Sequence, residues 1–73
     1  MKVYVIENQS YNPAVIFDNL YSLNKEVLIK RVATIFEEDV ILLPVIITEG
    51  ENSQLFINNN IHSFLRIIEL TKA

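Results

Sequence analysis

The chain has 73 residues, of which 51% are hydrophobic and none is cysteine, and its formal net charge is −3 at pH 7. This length fits a single domain over residues 1–73, and the lack of cysteine excludes disulfides, thiolate metal sites and cysteine nucleophiles. The negative charge, together with the scattered positions of the six basic residues, argues against nucleic acid as a partner.

Neither a targeting segment nor a membrane-spanning segment is predicted. The opening "MKVYVIENQS" has too short an apolar stretch for a signal peptide. No apolar run in the chain approaches the roughly 20 residues that are needed to span a bilayer. We therefore expect a soluble, cytoplasmic protein without a membrane partner.

The first predicted element is a strand over residues 2–7, where "KVYVIE" places apolar side chains on both faces. Asn12 and Pro13 then resemble an N-cap followed by the first helical position, which predicts a helix over residues 13–23. The alternative is a short strand, "AVIFD", that forms a hairpin with the first strand.

Residues 25–36 fit two structures. As a helix, this segment has an apolar stripe that includes Leu28, Val32 and Phe36. As a strand, "EVLIKRVA" is rich in β-branched residues but places Lys30 between Leu28 and Val32 on one face. The periodicity favours the helix.

The apolar run "VILLPVIIT", residues 40–48, is predicted to be extended because Pro44 would break a helix. Proline cannot donate a hydrogen bond to a sheet, so we expect residues 45–48 to be the paired part and Pro44 to lie at a strand start or on an edge. The sequence "EGEN" then predicts a turn, and residues 54–58 predict the return strand of a hairpin.

The closing stretch is predicted to be a helix that begins at an Asn60 N-cap, with the preceding asparagines as the turn into it. Its core stripe would consist of Ile61, Phe64, Leu65 and Ile68. Ile67 and Leu70 lie off this stripe, so we expect both to face solvent in a monomer.

Together these elements predict an α/β (α+β) fold with a small mixed sheet in the order β-α-(β or α)-β-β-α. The surplus of apolar side chains suggests an interface for a second copy or for another protein, and its candidate residues are Ile61, His62, Ile67 and Leu70. A homo-oligomer is expected on this basis. The alternative is that Ile67 and Leu70 are single exposed side chains at a fraying end.

No catalytic, metal or cofactor site is predicted. His62 is the only histidine, and the hydroxyl nearest to it in sequence, that of Ser63, would point to another side of the helix. The acidic residues Glu37 to Asp39, and Glu49 with Glu51, lack the alternating pattern of a calcium loop. We interpret them as solvated charges that keep an apolar strand soluble.

Two stretches, "KVYVIENQSYNPAVIFDNLYSL" and "EEDVILLPVII", resemble the KaiB family, a branch of the thioredoxin-like fold without redox activity. In the first stretch, the loop "ENQSYNPA" lacks the cysteine pair of the redox members. The resemblance implies a central first strand, a cis peptide bond before Pro44 and a strand over residues 26–33. The last of these conflicts with the helical periodicity of the same residues.

The favoured function is that of a small non-enzymatic cytoplasmic protein that acts through protein–protein interaction, by self-association or by docking on a larger regulatory partner. One alternative is an acidic virus- or plasmid-encoded inhibitor that masks a host protein. The other is a minimal enzyme or ligand-binding module that uses His62 with Glu49 or Glu51.

Overall fold

The computed structural model describes residues 1–8, 17 and 20–71, which form one helix and one five-stranded sheet. In chain order the elements are β1 (Lys2–Asn8), β2 (Tyr21–Ser22), α1 (Lys25–Glu38), β3 (Ile47–Glu49), β4 (Gln54–Ile57) and β5 (Asn60–Thr71), with a 3₁₀ turn at Glu51–Ser53. The strands are ordered β2-β1-β5-β4-β3, and every neighbouring pair is antiparallel. Because α1 packs on this sheet, the fold class is α+β, as predicted, although the sheet is antiparallel and not mixed.

Strand β1 lies inside the sheet, between β2 and β5. Its side chains alternate, so that Tyr4 and Ile6 pack into the core while Val3 and Val5 lie on the opposite face. The predicted first strand, apolar on both faces, is therefore confirmed. The central position belongs to β5, which pairs with all seven residues of β1.

Helix α1 begins after Asn24, whose side-chain oxygen Oδ1 accepts hydrogen bonds from the backbone N–H groups of Glu26 (2.8 Å) and Val27 (3.2 Å). Its buried residues are spaced by about one helical turn and are Leu28, Val32 and Phe36. The helical interpretation of residues 25–36 is confirmed. A helix thus stands where the resemblance to the KaiB family implies a strand.

The helix predicted after Asn60 is wrong, because these residues form the long central strand β5. Asn58 and Asn59 have φ angles of 51° and 69° and make a two-residue turn that joins β4 to β5. Turns with two left-handed residues match the twist of paired strands, and asparagine adopts this conformation more readily than most residues. Asparagine is also a favoured helix cap, so the local sequence was compatible with both structures.

The burial pattern along β5 follows strand alternation. Leu65 and Ile67 are 0% and 3% exposed, whereas Ile61 and Phe64 of the predicted stripe are 64% and 49% exposed. The prediction that Ile67 faces solvent is therefore wrong. Side chains two residues apart share one face of a strand, and so Ile67 joins Leu65 in the core.

The end of the helix predicted over residues 13–23 is also wrong, because Tyr21–Ser22 form β2 and pair with β1. The N–H of Ile6 donates to the carbonyl oxygen of Leu20 at 3.1 Å and extends this pairing. Phe17 is buried, with its ring centroid 5.5 Å from that of Phe36. Residues 13–16, 18 and 19 lie outside the described residues, as does most of the alternative strand "AVIFD".

The predicted hairpin after Pro44 is confirmed, with a shorter first strand than expected. Its strands are β3 and β4, and the 3₁₀ turn lies between them. Strand β3 is an edge of the sheet, and Pro44, whose peptide bond with Leu43 is cis, precedes it. Lys25 Nζ lies 2.7 Å from Glu49 Oε2 and so links the start of α1 to this edge.

The core lies between α1 and one face of the sheet. Its buried side chains are Ile6, Phe17, Leu28, Val32, Phe36, Leu55, Ile57, Leu65 and Ile67. Within the described ranges, α1 is the one α-helix, and with 14 residues and a polar side it falls short of a bilayer crossing.

Candidate interaction surface

The most exposed isoleucine and leucine side chains of the described residues lie between α1 and β3. We refer to residues 40–46 as the apolar loop. Ile41 is 81% exposed, Leu43 is 71% exposed and Ile46 is 67% exposed. Single exposed apolar residues are common on protein surfaces, but three large ones within six residues are an unusual concentration, and concentrations of exposed apolar surface mark interaction sites.

The second half of the apolar loop is tied to the turn between β4 and β5 by Asn58. The side chain of Asn58 donates from Nδ2 to the carbonyl oxygen of Pro44 (2.8 Å) and accepts at Oδ1 from the N–H of Ile46 (2.7 Å). The backbone N–H of Asn58 also donates to the carbonyl oxygen of Ile46 (2.8 Å). A loop held in one conformation loses less conformational entropy when it binds a partner.

The first half of the apolar loop contains a backbone conformation that is unusual for its residue. Ile41 has a φ of 60°, in the left-handed region that β-branched residues rarely adopt. The N–H of Leu42 donates to the carbonyl oxygen of Phe36 (2.9 Å) and holds the chain reversal after α1. A residue in such a conformation stores strain on the order of 1–3 kcal/mol, and strained residues are concentrated at functional sites.

Three acidic residues, Glu37, Glu38 and Asp39, stand immediately before the apolar loop at the C-terminal end of α1. The helix dipole disfavours negative charge at this end, and the last turn of α1 contains no basic residue. The ion pairs within the described residues, Lys2–Glu69 and Lys25–Glu49, do not involve these three. The exposed apolar side chains therefore have an acidic border.

A second apolar surface covers the sheet on the side away from α1, which we call the open face. Strands β1 and β5 place three cross-strand pairs there, and these are Val3–Leu70, Val5–Ile68 and Glu7–Arg66. On the other side of β5, Phe56 pairs with Ile61 on the same face, since their neighbours Leu55 and Ile57 point into the core. On this face Ile61 is 64% exposed and Leu70 is 45% exposed, whereas Val3 is only 7% exposed.

His62 lies on the core side of the sheet, next to an irregularity in the pairing of β4 with β5. Its ring meets the ring of Phe36 edge to face, with centroids 6.0 Å apart. Partial burial lowers the pKa of His62 below its ordinary value, because the charged form loses solvation. The neutral imidazole is therefore favoured.

The geometry does not join His62 to Glu49 or Glu51 in a catalytic pair. His62 and Glu49 pair with Leu55 from opposite sides, so two strand spacings, or about 10 Å, separate their backbones. Glu49 is engaged with Lys25, and Glu51 is exposed in the 3₁₀ turn. Among the described residues, no three histidine or acidic side chains could share a metal ion.

Two shallow depressions flank α1. One, of about 650 Å³, is lined by Met1, Val3, Tyr21, Ser22, Leu23 and Arg31. The other, of about 500 Å³, is lined by Leu20, Val27, Lys30, Arg31, Thr34 and Ile35. Neither of these sets of residues includes a carboxylate or a histidine, so neither resembles an acid–base site.

The four predicted interface residues do not form one patch. Leu70 and Ile61 lie on the open face, whereas His62 lies on the core side and Ile67 is buried. The prediction missed the apolar loop as a surface. The sequence feature that could have indicated this loop is the apolar run around Pro44. That run predicts an extended strand, but an apolar run interrupted by proline fits an exposed loop equally well.

Comparison of the chain with protein-family models, with curated proteins and with solved structures finds no match. The resemblance to the KaiB family therefore stays a prediction, and the function has to be argued from the surfaces of the molecule.

Proposed function

We propose that this chain is a non-enzymatic protein that acts by binding another protein, and that the apolar loop is the segment that docks. The observation that carries this proposal is the exposure of Ile41, Leu43 and Ile46, at 81%, 71% and 67%. Burial of one such side chain contributes about 1.5–3 kcal/mol, so three of them can anchor a complex. The tether from Asn58 and the strained Ile41 support the proposal, since both indicate a loop with a fixed shape.

The acidic border defines the chemistry of the partner. Glu37, Glu38 and Asp39 precede the apolar side chains in the chain, at an end of α1 where negative charge is unfavourable for the helix itself. A partner with an apolar pocket flanked by lysine or arginine would match both features. Opposite charges at the rim accelerate association and exclude wrong partners, while the apolar centre supplies most of the affinity.

The hypothesis of an acidic inhibitor is a special case of this proposal, in which the bound protein loses its activity. It uses the same loop and the same acidic border. The hypothesis of an enzyme or ligand-binding module that uses His62 has no comparable support, because Leu55 separates His62 from Glu49.

The test compares two leucine variants that differ in position but not in chemistry. Leu43→Ser changes the apolar loop, and Leu23→Ser changes a leucine that is 62% exposed between β2 and α1. Tagged wild-type and variant proteins are used to capture partners from the native cells, and the dissociation constant of the purified complex is then measured at two salt concentrations.

We expect wild type and Leu23→Ser to bind one partner with equal affinity, and Leu43→Ser to bind it at least tenfold more weakly. Affinity should also fall at high salt because the acidic border contributes. Equal binding by Leu43→Ser, or a complex that is insensitive to salt, would contradict this assignment of the docking segment. Circular dichroism of both variants controls for loss of fold.

A further inference from the structure

We propose that two copies of this chain pair through the exposed side of α1, with the two helices antiparallel. The buried residues of α1 mark the side that faces the sheet. Thr34 is two residues from both Val32 and Phe36, which places it on the opposite side of the helix, where it is exposed. Around Thr34 lies a row of solvent-accessible side chains that we call the helix strip. It consists of Val27, Lys30, Arg31, Thr34, Glu37 and Glu38, and of Ile41 just beyond α1.

The charges of the helix strip are placed symmetrically about Thr34, with opposite signs on its two sides. Lys30 and Arg31 lie four and three residues before Thr34, and Glu37 and Glu38 lie three and four residues after it. A two-fold axis that passes Thr34 at right angles to the helix reverses the helix direction in the second copy. The basic half of each copy then faces the acidic half of the other. A two-fold interface requires such self-complementarity, because both subunits use the same patch.

The acidic half of the helix strip has no basic partner within the described part of its own chain. Neither Glu37 nor Glu38 belongs to either of the ion pairs of the described residues. Ion pairs within a helix join residues three or four apart, and residues 33–35, which precede the two glutamates at those spacings, are uncharged. The helix dipole also disfavours negative charge at this end of α1. The basic half of a second copy would offset both costs.

The apolar residues of the helix strip also match under the rotation. Val27 lies seven residues before Thr34 and Ile41 lies seven residues after it, and they are 41% and 81% exposed. In the antiparallel pair, Ile41 of each copy therefore lies beside Val27 of the other. Val27 lines the depression of about 500 Å³ on this side of α1, together with Lys30 and Arg31. This depression is an apolar pocket flanked by basic residues, which is the kind of surface that fits an acid-bordered apolar segment.

Arg31 can take part in this contact and keep its present hydrogen bond. Its Nη1 donates to the carbonyl oxygen of Tyr21 at 2.9 Å, which holds the side chain against the start of β2. A guanidinium group carries five N–H donors, so it can bind a carboxylate of the second copy as well.

The contact is one helix wide, and so we expect a weak dimer that depends on concentration. The 14 residues of α1 give a helix about 21 Å long. Packed helices have axes about 8–10 Å apart. At that separation the Cα atoms of the two copies of Thr34 would lie about 5 Å apart, which is within the range that a disulfide bond can span.

The first test places a single cysteine at the proposed axis. The chain has no cysteine of its own, so an introduced one reports on one position. Thr34→Cys is compared with Thr48→Cys, a matched change at an exposed threonine of β3. The rate at which disulfide-linked dimers form under mild oxidation is measured by electrophoresis without reductant. We expect Thr34→Cys to link at least about tenfold faster than Thr48→Cys at equal concentration, and more slowly when salt is raised.

The second test reverses the charges of each half in the Thr34→Cys background. One variant carries Lys30→Glu with Arg31→Glu, and the other carries Glu37→Lys with Glu38→Lys. Each alone pairs like charges across the axis, so we expect linkage at least about tenfold slower. Their equimolar mixture should recover fast linkage, because an entirely acidic strip then faces an entirely basic one. The same reversals in the Thr48→Cys background control for the change in net charge.

Equal linkage rates for Thr34→Cys and Thr48→Cys would overturn the proposal. Folded charge-reversal variants whose mixture fails to recover fast linkage would equally overturn it. Circular dichroism identifies a reversal that unfolds the chain, and the comparison of the two cysteine positions then decides the question alone. None of these variants changes Leu43, so this inference and the docking proposal fail separately.

Discussion

Asn58 donates a hydrogen bond from Nδ2 to the carbonyl oxygen of Pro44 at 2.8 Å and so joins the β4–β5 turn to the apolar loop. The same residue occupies a left-handed backbone position that the turn requires. One asparagine thus serves two purposes, because it forms the hairpin and fixes the proposed docking segment.

Replacement of Asn58 by glycine separates these two roles. Glycine accepts the left-handed backbone but removes the side-chain bonds to Pro44 and Ile46. We expect Asn58→Gly to lower the free energy of unfolding by about 1–2 kcal/mol, measured by urea denaturation. The neighbouring Asn59→Gly has the same backbone requirement, and we expect it to change stability by less than about 0.5 kcal/mol. Equal effects of the two changes would show that the tether is unimportant.

A pair of truncations distinguishes strand β5 from the helix that the sequence pattern favoured. Ile67 is 3% exposed and Leu70 is 45% exposed. We expect Ile67→Ala to lower the free energy of unfolding by about 2–4 kcal/mol, because it leaves a cavity in the core. Leu70→Ala should lower it by less than about 1 kcal/mol in dilute protein. Similar small losses for both would indicate the predicted helix instead of the strand.

Gly50 is required because the ring of Phe56 lies against it. A Cβ atom at residue 50 would lie 2.9 Å from both Cδ2 and Cζ of that ring, and closer still to Cε2. The backbone of Gly50 is extended, a conformation that any residue can adopt. A side chain at this position is therefore excluded by the Phe56 ring and not by the backbone angles. We expect Gly50→Ala to destabilise the fold by about 1–3 kcal/mol in thermal or urea unfolding.

A smaller side chain at position 56 provides the matched control. In a Phe56→Leu background, Gly50→Ala should destabilise the fold much less, which a double-mutant cycle would measure as coupling. If the effects of the two changes on stability were additive, the contact between the Phe56 ring and residue 50 would not be the cause of the destabilisation.

Stability should depend on pH through His62. Burial lowers the pKa of this imidazole in the folded state below the value of 6.5 that applies to the unfolded chain. The unfolded chain therefore binds the proton more readily, and stability is complete above that pH and declines as the pH falls through it towards the folded pKa. We expect a lower urea midpoint at pH 5.5 than at pH 7.5.

The His62→Leu variant removes the titrating group and retains an apolar side chain beside Phe36. Its urea midpoint should change less than that of the wild type between the same two pH values. An unchanged pH dependence in the variant would assign the effect to other groups.

The elements that sequence patterns predicted well are those whose signals are local. The stripe of Leu28, Val32 and Phe36 repeats with the period of a helix, and Asn24 supplies a hydrogen-bonding cap. The alternation in β1 and the single glycine between β3 and β4 likewise predicted a strand and a hairpin.

The elements that were wrongly predicted depend on distant partners. In β5, the spacing of Ile61, Phe64, Leu65 and Ile68 fits a helix, but pairing with β1 and β4 makes the segment a strand. Strand preference depends on neighbours in the sheet more than helix preference depends on its surroundings. The exposure of Ile41 and Leu43 likewise depends on the whole fold, because the apolar run around Pro44 fits a buried strand and an exposed loop equally well.

The pairing of Lys2 with Thr71 has a consequence for how the fold is reached. The strand that occupies the centre of the sheet is the last of the described elements to leave the ribosome, so β1 has no partner on that side until synthesis has passed residue 71. Helix α1 can form early from local contacts, but the sheet must wait for a closure that spans nearly the whole described chain. Chains dominated by such distant pairings fold in about milliseconds to seconds, and we expect this protein to assemble its sheet only after translation of β5.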